Sequence, residues 1–272
     1  MVGNVRATGN GPRFERRPVR SPLRGAGRYV VTVSLRGSLD RLRHHARRPI
    51  ARTPYVWDAA MRVRPAKRRT LAGQHTAIVI DGFLRSGNTY SVAAFQVANG
   101  SDLHIGRHLH GGAHVLRAVR MGLPTLVLIR QPADAVTSYL VRRPTLTPDD
   151  ALLEYLDFYR TAWPARDGFV VGPFTQVISD FGAVTERVNA RFGTSFARFT
   201  GDPEAQAAAL ALVEEMNRQE CRGEVVETHV GRPSAEREGR KEEMRRRLLE
   251  PRSQALLARA DRVFEEYLAL AE

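Results

Sequence analysis

The sequence predicts an α/β fold in which a parallel sheet is flanked by helices, giving three layers. Short apolar runs at residues 77–80 and 125–130 are typical of strands buried on both faces. A helical pattern follows each run, after a loop or turn that contains glycine or proline. Strands that alternate with helices favour a parallel sheet covered by helices on both faces.

The alternation of strands and helices continues towards the C-terminus. The predicted strands cover residues 77–80, 103–105, 125–130, 169–171 and 176–179. One predicted helix begins at Thr89, and the others cover residues 114–121, 133–141, 149–163, 181–192, 204–218, 234–249 and 253–270. Near the N-terminus, residues 29–35 are β-prone, and Ser38 is a candidate cap for a helix that ends near Arg48.

The distribution of charge predicts two regions: a basic arm over residues 1–74, disordered at least over residues 1–28, and an α/β domain over residues 75–272. The chain has 42 Lys and Arg against 29 Asp and Glu, a net charge of +13. Residues 1–75 hold 18 of the basic and 3 of the acidic residues (+15), which leaves 24 basic and 26 acidic residues (−2) for the remainder. A basic arm can contact an anionic surface, a polyanionic substrate or nucleic acid, or remain a solvated tail.

Composition excludes several other classes of protein. The single cysteine, Cys221, excludes a disulfide framework and a cysteine-rich metal site. No apolar run approaches the roughly 18 residues of a membrane span. The arginine-rich N-terminus lacks the apolar core of a signal peptide, so we expect a soluble cytoplasmic protein.

The apolar run at residues 77–80 leads into a glycine-bounded loop and then a helix. Gly82, Gly87 and Thr89 have nearly the spacing of the phosphate loop G-x-x-x-x-G-K-[ST], whose backbone N–H groups surround an anion beside a helix N-terminus. Asn88 stands where phosphoryl transfer requires the lysine. We therefore predict a fold of the P-loop nucleotide-binding type that holds a phosphate-like group without hydrolysing ATP. An ordinary strand-to-helix turn is the alternative.

A second anion site is predicted after the strand at residues 125–130. Arg130 leaves the carboxyl end of that strand, where ligands bind in such sheets. Ser138 lies about two turns into the following helix. An arginine can grip a phosphate with two donors, and a serine hydroxyl can add another. Two anion sites on neighbouring strand ends suit a ligand with two separated phosphate-type groups.

Together the two segments resemble the PAPS-dependent sulfotransferase family, whose donor is 3′-phosphoadenosine 5′-phosphosulfate (PAPS). The first motif of that family is close to [KR]-S-G-[TS]-[TS]-[WYL], and residues 85–90 match it except at Asn88. The second motif is close to R-[DN]-P-x-D-x-x-x-S, and residues 130–138 match it except at Gln131. The resemblance covers about residues 76–270.

The resemblance implies transfer of a sulfuryl group from PAPS to a hydroxyl or amine by in-line displacement. It implies a catalytic role for Arg85, which would neutralise charge on the leaving phosphate. It also implies a set of donor-binding residues: Arg85, Ser86, Gly87, Asn88, Thr89 and Tyr90 for the 5′ end, Arg130 and Ser138 for the 3′-phosphate, and Arg232, with Arg237 as the alternative, in a basic loop that closes over it. No metal is implied, because positive residues supply that charge.

Many members of the family place a histidine base just after the second strand. His108 aligns best with that pattern and is the predicted base, with His110 as the alternative. Both can also be ordinary loop histidines. A metal site formed by Asp102, His104, His108, His110 and His114 is a further alternative, although these residues follow no standard ligand spacing.

Two other functions remain open from the sequence. One is a P-loop kinase-like phosphotransferase that has lost its lysine, and the other is a polyanion-binding protein that acts through the basic arm. The expected partner is a small-molecule, glycan or lipid acceptor, recognised by loops at residues 100–112, 141–150 and 218–235. A second candidate partner is an anionic surface, which the basic arm would contact. No specific nucleic acid is expected.

Overall fold

Four strands of the described chain form one all-parallel sheet in the order β2-β1-β3-β4. They are β1 Thr76–Gly82, β2 His104–Arg107, β3 Thr125–Ile129 and β4 Val170–Pro173. The computed structural model describes residue 42 and residues 45–46, 48–220 and 235–271. The predicted features before residue 42, together with Cys221 and Arg232, lie outside this range.

Helices connect the strands and extend beyond the sheet. They are α1 Pro54–Arg62, α2 Pro65–Arg68, α3 Asn88–Asn99, α4 Gly112–Arg120, α5 Pro132–Arg142, α6 Pro148–Ala162, α7 Phe174–Ser179, α8 Phe181–Phe192, α9 Pro203–Glu220, α10 Ala235–Leu248 and α11 Pro251–Leu268. Every predicted helix from Thr89 onward begins within two residues of its expected start. In the part of the chain that the structure describes, no helix combines the length and apolar character needed to cross a membrane.

The side chains of β3 alternate between the two faces of the sheet. Leu126 and Leu128 pack with α3, α8 and α9. Val127 and Ile129 pack on the opposite face with α5, α6 and α11. Helices therefore cover both faces, which confirms the predicted α/β fold with a parallel sheet flanked by helices.

The central strands approach each other closely where β1 ends. Gly82 pairs with Leu128 of β3, and a Cβ atom at Gly82 would lie 2.4 Å from the carbonyl oxygen of Leu128. Only glycine fits this approach without moving the backbone. The ends of β1 and β3 are thereby held side by side, and the candidate site forms there.

The prediction of a strand at residues 176–179 is wrong, because this segment belongs to helix α7. A run of four residues is too short to show whether its period is helical or extended. The chain turns after Pro173, and Phe174 and Val177 then pack against Gly87 of the loop that follows β1.

Part of the segment that the sequence assigns to the arm is folded against the sheet layers. Trp57 and Met61 of α1 are buried with Leu109 and Ala113. A Cβ atom at Gly111 would lie 2.7 Å from Nε1 of Trp57, so the indole lies directly on the chain that follows β2. Helix α1 therefore helps to fix the position of the loop between β2 and α4.

Candidate functional site

A cleft of about 510 Å³ opens at the carboxyl ends of β1 and β3. Residues of the loop after β1 and residues of α5 after β3 line it from the sheet side. Leu210 and Val213 of α9 and Lys241 and Arg245 of α10 line it from the helical side. The cleft thus lies where ligands bind in open parallel sheets.

The loop after β1 has an unusual backbone that suits an anion. Arg85 and Gly87 both have positive φ, at 70° and 91°. Gly87 is also the N-cap residue of α3, and a Cβ atom there would approach the Phe174 ring to 3.2 Å. Left-handed residues next to a helix start turn N–H groups towards a common centre. An anion in the cleft would therefore meet both the loop and the positive end of α3.

The two predicted motifs contact each other in this cleft. Nε of Arg85 donates to Oγ of Ser138 at 3.0 Å, and Nη1 of Arg130 donates to the carbonyl oxygen of Arg85 at 3.2 Å. The Arg130 guanidinium also lies 4.1 Å from the centre of the Phe174 ring. Arg85, Arg130 and Ser138 all line the cleft, so the structure places both motifs around a single cavity.

Two residues assigned to the phosphate by the motif have other contacts. Ser86 is fully buried and does not line the cleft, and its N–H donates to the carbonyl oxygen of Phe83 at 3.3 Å. Nδ2 of Asn88 donates to the same oxygen at 2.9 Å. Both residues therefore stabilise the loop from within. Thr89 and Tyr90 line the cleft, and burial raises the pKa of the Tyr90 phenol.

The structure distinguishes the two candidate histidine bases by their positions. His110 lines the cleft, whereas His108 is not among its lining residues. Nδ1 of His110 lies 2.9 Å from the carbonyl oxygen of Gly82. Because a carbonyl oxygen only accepts hydrogen bonds, Nδ1 carries the proton and Nε2 is the basic nitrogen. The carbonyl oxygen of His108 accepts a hydrogen bond from Nζ of Lys67 at 3.2 Å.

His110 also lines a second, smaller cavity of about 50 Å³. Trp57, Met61 and Leu109 form apolar parts of its wall, and Arg64 is among its charged residues. His110 is therefore common to the large cleft and to a small cavity of mixed polarity built partly by α1.

A buried carboxylate holds the loop after β2, which contains His108 and His110, in place. Asp81, at the end of β1, is fully buried and accepts hydrogen bonds from the backbone N–H groups of Gly82, Leu109 and His110 at 3.0 to 3.3 Å. It also accepts a hydrogen bond from Nδ1 of His114 at 2.8 Å. The loop after β2 is thus tied directly to the loop after β1.

His114 completes this network inside the core. It is fully buried, its Nε2 accepts from the N–H of Ala72 at 3.2 Å, and its ring stacks on Trp57. Burial alone would raise the pKa of Asp81, but hydrogen bonds and charge interactions with His110 and His114 outweigh it. The pKa of Asp81 is therefore well below its ordinary value of 3.8.

The arrangement of these histidines does not support the metal alternative. Both ring nitrogens of His114 are hydrogen-bonded, one to Asp81 and the other to the N–H of Ala72. In His104, Nδ1 lies 2.9 Å from Oγ1 of Thr76, and Nε2 lies 2.9 Å from the carbonyl oxygen of Arg69. Among the described residues, no group of three or more His, Cys, Asp or Glu is placed to hold a metal ion.

Helix α10 brings charged residues to the cleft that the motifs did not identify. Arg245 forms an ion pair with Asp134 of the second motif, and Lys241 pairs with Glu238 at 2.6 Å. Arg142, on α5, also lines the cleft. Their positions depend on long-range packing of α10 against α5, for which the sequence gives only the signal of a highly charged helix.

We expect Asp81→Asn to destabilise the protein by about 3 kcal/mol at neutral pH, because buried donors lose their charged acceptor. Because the pKa of Asp81 is lower in the folded than in the unfolded protein, its contribution is complete above about pH 4. That contribution is lost as the pH falls towards the folded-state pKa. Urea unfolding at several pH values measures both effects. The exposed Asp102→Asn variant is the control, and equal stability of the two variants would contradict this role.

Comparison with known proteins adds no family assignment. No family model, curated protein or solved structure matches this chain. The geometry of the cleft and the resemblance of its two motifs are therefore the basis for a functional proposal.

Proposed function

We propose that this protein is a sulfotransferase that moves a sulfuryl group from PAPS to a hydroxyl or amine acceptor. The observation that carries the proposal is the hydrogen bond between Arg85 and Ser138. It brings the motif for the 5′-phosphosulfate and the motif for the 3′-phosphate to one cleft. A P-loop type of nucleotide site, formed by β1, the following loop and α3, is part of the proposal.

The 5′ end of the donor would lie in the loop between β1 and α3. The left-handed residues Arg85 and Gly87 shape this loop, and Thr89 offers a hydroxyl at the helix start. Backbone donors and the helix dipole favour a phosphate there. Ser86 would support this site from inside the loop, and Asn88, which lines the cleft, would hold the loop through its amide bond to Phe83.

The 3′-phosphate would lie beside Arg130 and Ser138. A guanidinium offers paired donors with a geometry that matches a phosphate. Arg142 adds positive charge to the same cleft, and Arg245 lies there paired with Asp134. Tyr90 and Phe174 are aromatic residues of the lining available to an adenine ring. The cleft volume of about 510 Å³ is in the usual range for ligands of nucleotide size.

In the proposed reaction, the acceptor oxygen or nitrogen attacks sulfur and a new bond to sulfur forms. The bond from sulfur to the bridging phosphate oxygen breaks in line, and 3′-phosphoadenosine 5′-phosphate (PAP) leaves. Arg85 stabilises the charge that develops on the leaving phosphate. The acceptor proton passes to a general base.

We assign the general base to His110 in preference to His108. Its Nδ1 donates to Gly82 and is held close to Asp81, which leaves Nε2 to accept a proton. Because His110 lines the large cleft, an acceptor that enters the cleft beside the donor would meet the imidazole there. His108 does not have this position.

The contacts of Asn88 weigh against a kinase-like phosphotransferase. A P-loop kinase requires a lysine on the transferring phosphate, and Asn88 at this position directs its amide to the carbonyl oxygen of Phe83. The large cleft therefore suits PAPS, whose phosphates arginines would bind, better than ATP, whose transferring phosphate requires the P-loop lysine.

We expect Arg130→Ala to weaken PAP binding roughly 10- to 100-fold, because charge-assisted hydrogen bonds to the 3′-phosphate are lost. Arg130→Lys should have an intermediate effect, since it keeps the charge but not the paired donors. Isothermal titration calorimetry measures both. The exposed Arg160→Ala variant is the matched control. Unchanged PAP affinity in the Arg130→Ala protein would contradict the donor site.

We expect His110→Gln to lower sulfuryl transfer by about 10²- to 10⁴-fold with little change in PAP affinity, because the proton acceptor is lost. His108→Gln is the matched control and should retain most activity. The assay follows label from PAPS into a panel of glycans, lipids, phenols and amines. A large loss in the His108→Gln variant alone would contradict the assignment. Absence of transfer to every acceptor, despite tight PAP binding, would contradict the enzymatic proposal.

A further inference from the structure

The short segment around the start of α2 forms a basic surface, and none of the described residues that line it is acidic. Arg62, Val63, Pro65, Arg68 and Arg69 line a shallow, open concavity of about 600 Å³. We call these five residues the basic face. Arg62 pairs with Asp58 at 2.7 Å, while Arg68 and Arg69 are exposed. A concentration of arginine on one side of a domain attracts anions.

Exposed apolar side chains lie in and near the basic face. Val63, within the face, is 79% exposed, and Tyr55, on α1, is 81% exposed. Tyr55 lies about two turns before Arg62 on the same side of α1, and the guanidinium of Arg120 lies 5.7 Å from the centre of its ring. Apolar and aromatic side chains beside arginines are typical of protein surfaces that enter the headgroup region of a bilayer.

The basic face is held rigidly by the folded domain. Trp57 and Met61 anchor α1 in a buried cluster, and Lys67 of α2 donates to the carbonyl oxygen of His108. The carbonyl oxygen of Arg69 accepts a hydrogen bond from His104. Because the backbone of the face is fixed before any partner arrives, binding would order only its side chains and cost little conformational entropy.

We propose that the basic face docks on the surface of an anionic lipid bilayer. The arginine side chains match phosphate and carboxylate headgroups in charge, and Val63 and Tyr55 would enter the boundary between headgroups and acyl chains. The exposed apolar residues favour a bilayer over a nucleic acid, whose phosphate backbone needs only the cations. This docking does not depend on the proposed enzymatic activity.

The location of the basic face links docking to the small cavity beside His110. Arg64, between Val63 and Pro65 of the face, lines that cavity together with His110. A docked bilayer would lie next to this part of the molecule. If the proposed sulfotransferase function holds, an acceptor drawn from the membrane would have a short path to the candidate base.

Co-sedimentation of the full chain with vesicles tests the docking surface. We expect binding to phosphatidylcholine vesicles that contain phosphatidylserine, and much weaker binding to phosphatidylcholine alone. Arg68→Gln/Arg69→Gln should weaken binding about 25-fold, since each basic residue near an anionic surface contributes about fivefold. The matched control is Arg259→Gln/Arg262→Gln on α11, which removes the same charge elsewhere and should bind more tightly than the first variant.

A second variant separates the apolar from the electrostatic contribution. Val63→Ser keeps the charge but loses apolar contact, so it should weaken vesicle binding severalfold, and salt should not remove this loss. Equal effects of the two double variants would overturn the proposal, because net charge alone would then explain binding. Tighter binding to duplex RNA or DNA than to the anionic vesicles, lost in Arg68→Gln/Arg69→Gln, would overturn it in favour of a nucleic acid.

Discussion

The candidate site depends on one buried carboxylate, Asp81, at the end of the central strand β1. A buried charge is costly unless its hydrogen bonds are complete, and Asp81 accepts them from two backbone loops and from His114. His114 in turn is bound to Ala72 and stacked on Trp57. One side chain therefore connects the loop after β1, the loop after β2 and the segment containing α1.

The sheet explains why the remaining functional groups meet. β1 and β3 are adjacent and parallel, so the residues that follow both strands emerge at the same edge. Arg85 and Ser138 are 53 positions apart in sequence but joined by a hydrogen bond of 3.0 Å. Helices α9 and α10 then close the cleft from the other side and add Lys241 and Arg245. The arginines at the two strand ends, Arg85 and Arg130, suit a ligand with two separated anionic groups.

Residue patterns predicted the parallel sheet, most helices and the neighbouring positions of the two motifs, because apolar periodicity and strand order depend on local sequence. They predicted some of the residues that line the cleft, such as Arg85, Arg130 and Ser138, but not all of them. Ser86 points inward because the loop adopts left-handed angles at Arg85 and Gly87. His110 rather than His108 lines the cleft because Asp81 and Gly82 hold its backbone and ring. The burial of Trp57 and the contribution of Arg245 depend on packing between distant segments.

The central claim is that two neighbouring strand ends bind the two phosphate groups of one adenosine nucleotide. A calorimetric comparison of PAP with adenosine 5′-monophosphate and adenosine 3′-monophosphate tests it most directly. If each phosphate has its own site, PAP binds with one-to-one stoichiometry and roughly 10- to 100-fold more tightly than either monophosphate. Equal affinity of PAP and one of the monophosphates, or preferential binding of ATP, would contradict the claim.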